Sequence, residues 1–172
     1  MIADQLPARR LRLFLRDFRM IEAHIGLAEG QSLTQYFVTR KHYVNLRAAK
    51  WSGSDETIDH VVLKVEQVLW VAAMDDDIAL TQATSPAALR AVEVQLDGGL
   101  LMRAGMFLSE GQRLSDYLEA QPQFIPMRNV ALLRSGRPPK EVNVTLGDIA
   151  LNQAGVQAMW ETNVGAPIIG EP

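Results

Sequence analysis

The chain has 172 residues, 48% of them hydrophobic and 22% charged, with a net charge of −3 at neutral pH and a pI of about 5.6. That length suits one domain or two small ones. The acidic balance argues against a DNA-binding protein and makes RNA an uncommon partner, because a nucleic-acid binder needs a basic footprint to displace counterions from phosphates. With no cysteine in the chain, disulfides, thiolate metal sites and cysteine nucleophiles are excluded.

Residues 1–10 read as an N-terminal arm without the basic-then-apolar order of a signal peptide. From residue 11, Leu11, Leu13 and Leu15 alternate with Arg12, Phe14 and Arg16, the period-two pattern of a strand with one core face. Asp17-Phe18-Arg19 is a weak turn signal, and a second strand follows from Met20 to Leu27. Past Glu29-Gly30-Gln31, residues Leu33, Tyr36 and Phe37 share one face of a short helix. Tyr43 to Ala49 is a third strand, Ser52-Gly53-Ser54-Asp55 a loop, and Val61 to Val71 an alternating run with room for an extra strand where it bends at Glu66-Gln67. This first β-unit spans 11–74. A linker follows over 75–90, carrying a solvated run Asp75-Asp76-Asp77 and then Thr84-Ser85-Pro86.

A second β-unit, 91–161, repeats that order. Val92, Val94 and Leu96 alternate, Asp97-Gly98-Gly99 favours positive φ and marks a tight hairpin turn, and Leu101 to Leu108 returns. Ser109 and Gln112 have capping-box spacing ahead of a helix face of Leu114, Tyr117 and Leu118, which Pro122 ends. Phe124 to Leu133 is a strand, Ser135-Gly136-Arg137-Pro138-Pro139 a loop, and Val142 to Leu151 the closing run, bending at Gly147-Asp148. Residues 162–172, with Gly165, Pro167, Gly170 and Pro172, form an extended C-terminal arm.

The two halves look like copies. Leu27–Phe37 and Leu108–Leu118 agree at six of eleven positions at an offset of 81 (27 to 108). Apolar positions stay in register at that offset without a gap from residue 11 to residue 70. The expected fold is therefore mainly β with short helices: two tandem small antiparallel β-barrel or sheet units related by internal duplication.

Candidate chemistry is sparse. His24, His42 and His60 lack the spacing of a helical zinc pair, and no nucleophile, base and carboxylate can be assembled into one constellation. No catalytic residue, cofactor or metal is therefore expected. Tryptophan anchors protein interfaces as well as cores. Trp51 and Trp160 lie near a loop and a terminus and read as interface residues, while Trp70 is open to either reading. Varied loops on a repeated scaffold are where binding sits, which adds Arg137, Pro138 and Pro139, and the arm adds Ile168 and Ile169.

The segments EGQRLSDYL, FIPMRNVAL and VNVTLGDIAL resemble a family of uncharacterised bacterial proteins with tandem small β-domains. In strand order and length the units also resemble Sm-like and SH3-like barrels, but the Sm RNA-contacting motifs are missing. In size, paired β-units and extended termini the chain is similar to extrinsic cytoplasmic subunits of Gemmatimonas-type photosynthetic reaction centre–light-harvesting complexes. A repeated core beside unlike loops points to a non-catalytic structural or adaptor protein that binds other proteins. No apolar run is long enough for a transmembrane helix, so a cytoplasmic protein is expected, and the resemblance implies a place peripheral on the cytoplasmic face of the inner membrane. The alternative is a regulatory domain binding RNA or a small ligand between the two repeats, with Arg47 and Arg128 as contacts.

Overall fold

The structure is a computed structural model and describes residues 6–81, 87–136, 138 and 140–163. The chain divides into two compact units, with the boundary between residues 82 and 83. The fold is mainly β, with two short helices.

In the first unit, β1 (Ala8–Leu15), β2 (Met20–Gly26), α1 (Leu33–Val38), β3 (Tyr43–Trp51), β4 (Thr57–Lys64) and β5 (Val68–Ala73) follow one another, with a 3-10 turn at Val65–Gln67 between the last two strands. All pairings are antiparallel, in the order β5-β1-β2-β3-β4. Alternation works as the sequence suggests. Leu11, Leu13 and Leu15 on β1 and Ile21, Ala23 and Ile25 on β2 are buried, with Val44 and Leu46 beside them on β3. Leu33, Tyr36 and Phe37 of α1 complete this core.

The second unit comprises β6 (Ala88–Leu96), β7 (Leu100–Leu108), α2 (Leu114–Ala120), β8 (Phe124–Ser135), β9 (Lys140–Asn152), a 3-10 turn at Gln153–Gly155, and β10 (Val156–Glu161). Its order is β10-β6-β7-β8-β9, again antiparallel. Neither unit closes as a barrel, contrary to that part of the expectation. The last strand of each unit leaves its hairpin at the 3-10 turn and returns to the first strand, so β5 pairs with β1 and β10 with β6. Among the described residues no ladder joins β4 to β5 or β9 to β10, and the sheets stay open.

The gap-free offset does not survive the second hairpin. Through β3 and β8 it holds at 81, but Tyr43 faces Lys64 whereas Phe124 faces Asn152, and the 3-10 turns begin at Val65 and Gln153, an offset of 88 (65 to 153). The second hairpin is seven residues longer (81 to 88), with arms of 12 and 13 residues against 9 and 8. The counterpart of His60 is thus Asp148, not Glu141, and that of Trp70 is Ala158, not Leu151. The predicted corner at Gly147-Asp148 is instead a bulge inside β9, where Gly147 has φ +75° and faces Val130.

The capping box lies on α1 and not at the Ser109–Gln112 pair whose spacing suggested one. Ser32 caps α1, accepting from the Gln35 N–H at 3.4 Å while Gln35 reaches back to the Ser32 N–H. Arg113 precedes α2 and makes no side-chain cap. Gln31 and Gln112 serve the turns before the helices, accepting from the N–H of Ala28 and of Ser109. The acidic run is not merely solvated. Asp75 accepts from the Arg10 N–H at 2.8 Å and pairs with its guanidinium, Asp77 pairs with Arg9, and Leu80 is buried.

Candidate interaction surface

At one end of the first unit the chain turns between β1 and β2 through Phe18, whose φ is +65°. The turn closes by hydrogen bonds from the Phe18 N–H to the Leu15 carbonyl at 3.0 Å and from the Leu15 N–H to the Arg19 carbonyl at 2.9 Å. Asp17 accepts from both the backbone and the side chain of Arg19, and the Arg19 side chain holds its carboxyl below the usual range. The Phe18 ring is 46% exposed. It stands edge-on to Phe14, with centroids 6.2 Å apart, and Phe14 stacks on Trp70 at 4.0 Å. Next to this row, the Arg19 guanidinium lies 4.3 Å over the Trp51 ring. Trp51, Met20, Glu22, Lys50, Ser52 and Gly53 line an open hollow of about 220 Å³.

The aromatic row forms because β1 and β5 place Phe14 opposite Trp70 on the face away from the Leu11–Leu13–Leu15 core. Of the residues singled out in the sequence, Trp51 is half-buried at this end, beneath Arg19. Trp160 lies elsewhere, on β10, 40% exposed, with its Nε1 donating to Glu93 at 3.1 Å. Pro138 is exposed at the β8–β9 loop. Arg137, Pro139, Ile168 and Ile169 lie outside the described residues. Sequence reasoning overlooked Phe18 and Phe14, although one signal was available: at the offset of 81, Phe18 aligns with Gly99.

A second group crosses the same unit. Register places Arg10 opposite His24, His24 opposite Arg47, and Arg47 opposite His60, a row of basic side chains running from β1 to β4. Arg10 is neutralised by Asp75. The counterpart of Arg47 in the second unit, Arg128, pairs with Asp148 at 2.6 Å, and the other oxygen of Asp148 accepts from the Asn129 N–H at 3.0 Å. Among the described residues, no three His, Asp or Glu side chains gather in a metal-binding group.

Tyr36 and Tyr117, aligned on the two helices, are buried at 3% and 8% exposure. Burial pushes both phenols up; at Tyr36 the charges of Arg40 and Arg47 partly offset it. The folded state therefore holds these protons more tightly than the unfolded chain does. Their contribution to stability is complete below about pH 10 and falls as pH rises beyond it. Chemical denaturation at pH 9 and pH 11 should show this alkaline loss, and it should be smaller in Tyr117→Phe. An equal loss in that variant would mean that Tyr117 takes no part.

Comparison with known proteins finds no matching family model, curated protein or solved structure. No helix among the described residues is long and apolar enough to cross a membrane.

Proposed function

We propose that this chain is a non-catalytic adaptor that binds other proteins and stabilises a larger assembly, with the Phe18 end of the first unit as a contact surface. The observation that carries this reading is Phe18 itself. A bulky side chain in left-handed backbone costs about 1–2 kcal/mol. The second unit avoids that cost with Gly99, at φ +77° in the aligned place. Half-burial against Phe14 recovers about as much as the strain costs and leaves no gain over glycine, while nearly half of Phe18 faces water. A strained residue that holds an aromatic ring out of the fold is better explained by what the ring touches outside. Aromatic rings with an arginine beside them are the usual anchors of a protein interface.

The proposal includes descent of both units from one duplicated segment. Three left-handed positions support it at the offset of 81: Phe18 and Gly99, Gly30 and Gly111, Ala48 and Asn129. Positive φ at a non-glycine residue is uncommon, so the Ala48 and Asn129 pair is the most informative. The assembly proposed is the one the sequence resemblance implies, a photosynthetic reaction centre–light-harvesting complex, approached from the cytoplasmic face of its membrane.

The test is co-purification from native cells in mild detergent, comparing the wild-type chain with Phe18→Gly. Removing the strain offsets the lost contact with Phe14, so stability should stay within about 1 kcal/mol of the wild type, while partner recovery drops. Full recovery with Phe18→Gly would remove the contact surface from the proposal. Recovery without photosynthetic subunits would remove the named assembly.

A further inference from the structure

Two equivalent arginines have been given opposite surroundings. In the second unit, a carboxylate sits between the Arg128 guanidinium and the N–H of Asn129, a residue bulged into the left-handed region at φ +50°. In the first unit the frame is the same: Arg47 on β3 is followed by Ala48 at φ +46°. The cross-strand neighbour that supplies the carboxylate in the second unit has become His60. Arg47 is exposed and has no carboxylate partner among the described residues. Most other cations of the unit are paired within it: Arg9, Arg10, Arg12, Arg19, Lys50 and Lys64 each lie within 4.0 Å of an Asp or Glu oxygen.

The acid that lies on this row, Asp75, is already held by Arg10. His24 and His60 flank Arg47 across the ladder; the Nδ1 of His24 is buried and has no hydrogen-bond partner among the described residues, which leaves the guanidinium of Arg47 as the exposed donor. The Arg40 guanidinium rests 4.9 Å from the Tyr36 ring, and the charges of Arg40 and Arg47 both reach the Tyr36 phenol. Gly26 leaves the Arg47 guanidinium room to lie along β2, its Nη2 only 3.3 Å from where a Cβ would stand. In the second unit that place is taken by Phe107.

We infer that the His24–Arg47–His60 row of the first unit is a receptor for a carboxylate from outside the fold, and that its ligand is an acidic side chain on a partner peptide. The ligand would take the position that Asp148 fills in the second unit, with Arg47 donating as Arg128 does. This site is separate from the Phe18 surface, and each can fail without the other.

Amide chemical shifts of Arg47 and Ala48, followed while the full chain is titrated with tetraglutamate or with sodium acetate, test the inference. His60→Asp supplies the missing carboxylate internally and keeps Arg47 in place. It should weaken tetraglutamate binding roughly fivefold, the scale of one exposed arginine–carboxylate pair. Ala120→Asp, with a similar change in net charge on the other unit, should leave binding unchanged. Arg47→Gln should weaken binding as His60→Asp does. Tetraglutamate binding well above acetate assigns a peptide ligand. Equal affinity per carboxylate keeps the receptor and assigns a free small anion, overturning the peptide half of the inference. No shift at Arg47 with either probe, or binding unmoved by His60→Asp, overturns it entirely.

Discussion

Phe124→Ala is expected to destabilise the second unit by about 3–5 kcal/mol, the usual cost of deleting a buried phenylalanine and leaving a cavity. Phe124 opens β8, has no exposed surface, and faces the fully buried Asn152 across the ladder. A small domain has only about 5–15 kcal/mol in total, so this one change removes much of the margin. Alignment alone suggests the same cost at Tyr43. The structure disagrees: Tyr43 faces the exposed Lys64 and is itself 54% exposed. Tyr43→Ala should therefore cost under about 1 kcal/mol. Urea denaturation measures both, with Trp160 fluorescence reporting the second unit and Trp51 and Trp70 the first. A loss below about 1 kcal/mol at Phe124 would contradict the core described here.

The contrast between Tyr43 and Phe124 shows where sequence reading stops. Period-two alternation in Leu11–Leu15 and Val92–Leu96 is a local consequence of strand geometry, and it located β1 and β6, although both strands begin earlier, at Ala8 and Ala88, within the segments read as arm and linker. The helix faces at Leu33, Tyr36 and Phe37 and at Leu114, Tyr117 and Leu118 were legible for the same reason, although of the second set only Tyr117 is buried and the two leucines are half-buried. The corner of each unit was not so legible. It depends on which strand the chain joins next, and an apolar run such as Val142 to Leu151 stays apolar when its register slips by seven residues. Once the second hairpin is longer, similar residues at an offset of 81 no longer hold equivalent places. The barrel expectation failed on the same point, because strand order and length do not reveal whether a sheet's two edges meet.

The candidate surface was partly legible. Trp51 was found because tryptophan near a loop is an interface signal, yet its covering by Arg19 depends on the Asp17 turn that aims the guanidinium. Phe18 looked like one residue of a weak turn. Its meaning comes from the backbone, since an exposed phenylalanine is ordinary and a left-handed one is not. The Arg47 and Arg128 pair was visible as a repeated arginine, but the missing carboxylate was not. It appears only when the register assigns Asp148, rather than Glu141, as the counterpart of His60.

The corner that the sequence concealed carries the second large prediction. Asn152 is fully buried, and its side-chain oxygen accepts from the Ala154 N–H at 3.0 Å, capping the 3-10 turn that carries the chain from β9 to β10. Gln153 pins the same turn from the other side, its Nε2 donating to the Pro122 carbonyl at 2.8 Å. The first unit makes its corner without a side-chain cap: Lys64 pairs with the exposed Glu66 of the turn at 3.4 Å, and the buried Val65 stands where Gln153 does. Asn152→Leu keeps a similar volume but takes the capping acceptor from the N–H of Ala154, an exposed residue that water can then serve. The expected cost is about 1–2 kcal/mol, the scale of a lost side-chain cap, against a smaller change for the exposed Lys64→Leu. Because β10 is held on β6 beside Trp160 and Glu93, the loss should appear first as a change in Trp160 fluorescence, at lower urea than the unfolding of the first unit. If Asn152→Leu unfolds at the wild-type midpoint, apolar packing holds both corners and the capping bond adds nothing to the second.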